Sequence, residues 1–149
     1  MTDPRSFAYA QHGDGRTAAG ELFVEHLERV AASVPPEART VAYLHDILEH
    51  SDASVADLEA AGVRPVELQA VQLLTRPPDE SFEAHALRIA SAKGPAGRLA
   101  RMVKLADIDD HLARGAGSAS DRPYGWARYH VAASRARFDS PPAPLPSAA

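Results

Sequence analysis

Apolar residues in this chain recur every three or four positions, and nowhere do four or more residues alternate one for one with β-branched enrichment. That period belongs to helices burying one stripe, not to strands burying one face. Proline and glycine cut the pattern into segments. Asp3-Pro4 offers an N-cap followed by proline at the first helical position, and Gly13-Asp14-Gly15 ends that helix near His12. A second helix over 21–33 turns Leu22, Phe23, Leu27, Val30 and Ala31 inward, with His26 beside the stripe. Pro35-Pro36 closes it and opens a third, 36–49, with Val41, Ala42, Leu44 and Leu48 inward. Ser54 and Asp57 make a capping box for a short fourth helix that Gly62 stops. Pro65 opens a fifth, which carries Val66, Leu68, Val71 and Leu74 and ends at Pro77-Pro78. The sixth, 81–92, is anchored by Phe82 and Ile89. The seventh starts at Gly94-Pro95 and reaches about residue 113, burying Leu99, Met102, Val103, Leu105, Ala106 and Ile108. After the loop Gly115-Ala116-Gly117-Ser118, an eighth over 124–137 has Trp126 and Tyr129 available for packing. The expected architecture is an all-α, single-domain bundle of seven to eight helices over 1–138, followed by a disordered Pro/Ala-rich tail, 139–149.

A chain of 149 residues is about one domain and buries enough surface to need no staples. It has no cysteine, which removes disulfides, zinc–thiolate sites and thiol nucleophiles and fits a cytoplasmic setting. A net charge of -4 does not suggest a broad nucleic-acid face, although a local cationic pocket is compatible with it. The N-terminus leads into no secretory h-region, and no apolar run approaches the roughly 18 residues of a membrane span. The expected partner is a small molecule, with neither nucleic acid nor membrane.

The densest chemistry lies in Ala42-Tyr43-Leu44-His45-Asp46-Ile47-Leu48-Glu49-His50. His45 and Asp46 offer an imidazole nitrogen and a carboxylate oxygen, donors that a borderline divalent metal accepts. Glu49 follows His45 by four positions, one turn along the same helix face, where a carboxylate could take a proton from an activated water. Helix two adds His26, and helix seven adds Lys104, Asp107 and His111 on one face. Each has an ordinary alternative. His45-Asp46 could end a helix at a polar surface, His26 could be a satisfied core histidine, and Asp107 could pair locally with Lys104. The joint occurrence of two His and two Asp on three helices is harder to dismiss.

Taken in order, these segments resemble the HD superfamily of metal-dependent phosphohydrolases, and within it the alarmone hydrolase domain of RelA/SpoT proteins and their small stand-alone relatives. The resemblance spans about residues 7–137. Gly20 to His26 is similar to the family's G-x-P-Y-x-x-H segment, Leu44-His45-Asp46-Ile47-Leu48-Glu49 to L-H-D-x-x-E, and Lys104-Leu105-Ala106-Asp107 to K-L-A-D. Leu73-Leu74-Thr75-Arg76 and Gly13-Asp14-Gly15-Arg16 are looser matches. The resemblance implies His26, His45, Asp46 and Asp107 as ligands of Mn²⁺ above all, with Fe, Zn, Co or Ni also acceptable to the donors. It implies Glu49 as the residue that orients or deprotonates water, and Arg16 and Lys104 as substrate contacts, with Arg76 and Arg88 weaker. Two positions depart from the family. His50 stands where it has a second acid, a catalytic candidate beside Glu49 that alters the charge balance around the water, and His111 stands where it has Asn, a substrate-binding candidate that could contact ribose or phosphate, or bind metal. His12, His85 and His130 acquire no role. The implied activity is hydrolysis of a phosphate ester or pyrophosphate bond of a nucleotide, with (p)ppGpp cleaved at its 3′-pyrophosphate in the alarmone case. The alternatives are another nucleotide, NTP or NMP, as substrate, or a non-catalytic module that senses nucleotide or metal.

Overall fold

The computed structural model describes residues 2–115 and 121–139. Nine α-helices occur among them: α1 Pro4–His12, α2 Phe23–Ala32, α3 Arg39–Leu44, α4 Ile47–His50, α5 Val55–Ala60, α6 Pro65–Leu74, α7 Phe82–Ser91, α8 Gly94–Arg114 and α9 Asp121–Phe138. One 3₁₀ turn, Pro36–Ala38, leads into α3. The starts follow the local chemistry. The Ser6 N–H donates to the Asp3 carboxylate at 2.9 Å ahead of Pro4. Ser54 and Asp57 close a reciprocal box, with Ser54 N–H on Asp57 at 2.7 Å and Asp57 N–H on Ser54 Oγ at 3.2 Å. Ser81 accepts from Ala84 N–H at 3.1 Å. Gly62 stops α5 with φ +87°, a conformation that any side chain would strain.

The long helix α8 is the axis. Its 21 residues extend about 31 Å at 1.5 Å each. It is buried almost all round from Ala96 to Ile108, as a helix packed on every side must be. Leu99, Ala100, Met102, Val103 and Ala106 join the main core with Leu27, Val30 and Ala31 of α2, Val41, Ala42 and Leu44 of α3, and Ala70, Val71 and Leu74 of α6. Fully burying each Leu, Val or Ile contributes about 1.5–3 kcal/mol. A smaller seam pins α7 and α9 to the other side of α8 through Ala86, Ile108 and Ala127, and through Ala90, Leu105 and Val131. Arg101, only 1% exposed, ties three helices together. It donates to both Asp139 carboxylate oxygens at 2.7 Å and to the carbonyls of Ile89 (3.2 Å) and Ala92 at the end of α7.

Four expectations change. The third helix does not run unbroken from 36 to 49; a turn at His45-Asp46 divides it into α3 and α4. The second begins at Phe23, because the Leu22 backbone is extended and bridges to Arg16. Trp126 (38% exposed) and Tyr129 (71%) point outward, and the small residues Ala127 and Val131 fill the interface instead. Asp139, expected in the tail, is held by Arg101, and its N–H bonds the Arg135 carbonyl at 2.9 Å. The rest of the expected tail, 140–149, and most of the Gly115–118 loop lie outside the described residues.

Candidate metal centre

The break at His45-Asp46 creates the site. Successive side chains of a continuous helix diverge by about 100°, so neighbours cannot aim at one point. Here the Ala42 carbonyl, which an unbroken helix would give to the Asp46 N–H, takes the His45 Nδ1–H at 2.7 Å. The chain turns, and Asp46 Oδ2 comes to 3.4 Å from His45 Nε2. From α2, His26 Nε2 lies 3.3 Å from His45 Nε2 and 3.8 Å from Asp46 Oδ2. From α8, Asp107 Oδ1 lies 3.2 Å from His26 Nε2 and 3.6 Å from His45 Nε2. The donor atoms of His26, His45 and Asp107 all fall within 4.8 Å of one another, and all three residues are buried.

Both imidazoles are fixed from behind. His26 Nδ1–H donates to Asp110 Oδ2 at 2.8 Å, and Arg29 holds Asp110 with bonds of 2.6 and 3.0 Å while also binding Glu21 at 2.6 Å. Histidines that ligate metals are oriented by such carboxylate or carbonyl partners on the far nitrogen. With each Nδ1 donating outward, each Nε2 turns its lone pair inward, toward the oxygens of Asp46 and Asp107. Four acceptors facing one point repel unless a cation lies among them, so the donor set fits a divalent metal.

The acid–base chemistry agrees. Burial disfavours a charged His45, yet Asp46 and Asp107 overrule it and push this imidazole up to about 9. His26 is raised against the same burial penalty by its bond to Asp107. Burial also works against an ionised Asp107, but Lys104, His111, His26 and His45 hold its carboxyl well below the usual range.

The cluster forms the floor of a cavity of about 310 Å³. Glu49 lines it, with Oε1 taking the Arg76 backbone N–H and Oε2 lying 3.6 Å from His50 Nε2. Lys104 lines it too, but its Nζ is bound at 3.1 Å to Asp107 Oδ2. His111 Nε2 reaches Asp107 Oδ1 at 3.2 Å, and its ring stacks on Tyr124, centroids 4.8 Å apart. Arg16 is not among the lining residues; it is exposed and donates to the Gly20 carbonyl at 2.8 Å. The sequence suggests no role for Asp110 or His85 and leaves open whether Tyr124 closes over a pocket or packs the core; the structure brings all three to the site. Asp110 follows Asp107 by one helical turn, the one signal that could have suggested it. His85 needed coordinates: it is 2% exposed, faces the cavity and bonds Glu80 at 3.1 Å.

No protein-family model matches the chain, and no curated protein matches it. Among solved structures the fold is similar to that of a metazoan ortholog of SpoT, described as hydrolysing ppGpp and playing a role in starvation responses. The identity is 22%, the TM-score 0.67, and the match covers 88% of this chain and 82% of that one. At that identity the likeness shows the fold. No helix among the described residues is long and apolar enough to cross a membrane.

Proposed function

We propose that the protein is a metal-dependent phosphohydrolase acting on a nucleotide, of the HD type. The observation that carries this is the convergence of His26, His45 and Asp107, with Asp46 against both imidazole nitrogens, at the floor of an open cavity. The four residues would hold the ion, Mn²⁺ above all. When bound, such an ion lowers the pKa of water and polarises a phosphoryl oxygen.

The chain's own groups supply the rest. Arg76 N–H fixes Glu49 Oε1 and leaves Oε2 as the proton acceptor for the attacking water. Asp110 and the Ala42 carbonyl keep the imidazoles in the tautomer with Nε2 unprotonated. Lys104 offsets the Asp107 charge, and Arg76 at the cavity wall meets negative charge that develops on phosphate. The motif order and the fold likeness to a SpoT ortholog support (p)ppGpp as one candidate substrate. Pinning of Glu49 by Arg76, beside His50, also suits a sensor that binds without turnover, the second reading.

Incubation of the purified protein with Mn²⁺ and a panel of nucleotides tests the choice. Product should appear for at least one nucleotide. Asp46→Ala should lose both metal and turnover, while Glu49→Ala should keep the metal and lose most turnover. Tight nucleotide binding with no product across the panel would favour the sensor.

A further inference from the structure

Helix α9 turns Ala127 and Val131 inward against α7 and α8. Its outer face is apolar as well. At about 100° per residue, Trp126, Tyr129, Ala133 and Ala136 lie roughly 140–160° round the helix from Val131, and all four are exposed. Their spacing, i, i+3, i+7 and i+10, is that of a seam that packs on another helix, whereas a solvent-facing surface is ordinarily polar. Gly125 and Arg137, also exposed, flank the seam at its two ends.

Gly125 adds an independent sign. It stands inside α9, where glycine weakens a helix relative to alanine. A Cβ built on it meets nothing within 4 Å, and its φ is not positive, so the fold of one chain does not require glycine there. A glycine in such a place leaves room for a side chain arriving from outside.

The order of the side chains says what arrives. In two copies of α9 packed antiparallel about a two-fold axis level with Val131, Tyr129 faces Ala133 of the second copy, Trp126 faces Ala136, and Gly125 faces Arg137. Each pair sets a large side chain against a small one, and symmetry makes every pair twice. A parallel pairing would instead set ring on ring and Arg137 on Arg137. In the antiparallel pair the two Arg137 positions stand about 18 Å apart along the helices, beyond the screening length of about 8 Å at physiological salt. Arg128, on the flank of the seam, is already neutralised by Asp109 at 2.7 Å.

We infer that two copies of this chain pair through the outer faces of α9, antiparallel and about a two-fold axis level with Val131. The pairing is weak. A fully buried Trp or Tyr covers about 150–250 Å². Tyr129 has 71% of its surface left to cover and Trp126 38%, so the two rings supply roughly 200 Å² per copy. Even with the alanines and the Arg137 stem, the seam stays below the about 800 Å² per partner of a standard interface, which corresponds to a micromolar dissociation constant.

Sedimentation of the full chain from about 1 to 500 µM tests this, with the fluorescence of Trp126, the one tryptophan, read over the same range. The mass should rise from that of one chain toward that of two. Tyr129→Ala removes an exposed ring, so it leaves the monomer folded and should weaken pairing about tenfold. Gly125→Ala should raise the melting temperature of the dilute monomer through helix propensity, yet weaken the dimer by a similar factor, because its methyl group meets Arg137 of the second copy. Tyr129→Ala combined with Ala133→Tyr exchanges the members of one large–small pair and should restore the wild-type dissociation constant within about threefold. A chain that stays monomeric to about 500 µM overturns the inference and leaves the face to a different partner or to residues 140–149. A dimer indifferent to Tyr129→Ala and Gly125→Ala forms elsewhere and overturns it too, and an exchange that rescues nothing overturns the antiparallel register.

Discussion

Replacing Asp110 by Ala tests whether the metal centre depends on the group behind it. Asp110 Oδ2 is the acceptor that fixes His26 Nδ1, at 2.8 Å. Without it the ring can rotate or change tautomer, and Nε2 no longer presents its lone pair to the cluster. Loss of such a partner weakens metal binding about 10- to 100-fold, or about 1.4–2.7 kcal/mol. The fold itself also loses something. Arg29 forfeits its two bonds to Asp110 but keeps Glu21 at 2.6 Å, whereas the buried His26 Nδ1–H is left without an acceptor, so the stability cost is about 1–3 kcal/mol. The two effects separate in a calorimetric Mn²⁺ titration run beside thermal melts. At a Mn²⁺ concentration about 100 times its dissociation constant, the wild type gains about 2.7 kcal/mol of stability. A tenfold weaker site at the same concentration gains about 1.4 kcal/mol, which moves the melting shift by a few degrees, about 3 °C per kcal/mol for this size. A variant with wild-type Mn²⁺ affinity and an undiminished melting shift would refute the claim that Asp110 orients His26.

Acid should weaken the fold through His85. The folded imidazole stays neutral down to about pH 4, whereas in the unfolded chain it protonates below its ordinary value near 6.5, so its contribution is complete above 6.5 and is lost as pH falls toward 4. The loss is about 3 kcal/mol, and urea midpoints at pH 7 and 4.5 should fall closer together in His85→Gln than in wild type. Asp139→Ala strands a guanidinium that is 1% exposed and should cost about 3–5 kcal/mol, while Arg101→Met combined with Asp139→Leu should recover most of that loss in the same denaturation assay. Gly97→Ala would place Cβ 2.3 Å from the Ala92 carbonyl oxygen, so it should destabilise by about 1–3 kcal/mol despite the better helix propensity of alanine; a rise in melting temperature would show that the α7–α8 junction is looser than it looks.

Much of the fold was legible because its signals are local. Pro4, Pro65 and Pro95 open helices in the structure where they stand in sequence, and the Ser54/Asp57 box forms as its spacing suggests. These residues act on a backbone within one turn of themselves, so no distant partner can cancel them. Trp126 and Tyr129 misled because burial depends on what faces them. The α8–α9 spacing is filled by Ala127 and Val131, and the larger rings are left outside.

The site divides in the same way. Sequence alone determined the donor types and the helices that carry them: His26 on α2, His45-Asp46 at the end of α3, and Asp107 on α8. Helical periodicity put Asp107 and His26 beside buried stripes, but it extended the third helix through Glu49, a geometry in which His45 and Asp46 would point about 100° apart. Only the packed structure broke that helix, gave the Ala42 carbonyl to His45, and set Asp110 behind His26 with Arg29 to hold it. Each of those choices balances groups on different helices, His26 and Asp110 being 84 positions apart. A local pattern carries no information about such a balance, because the cost of leaving a buried charge or lone pair unmatched exists only once the helices have packed.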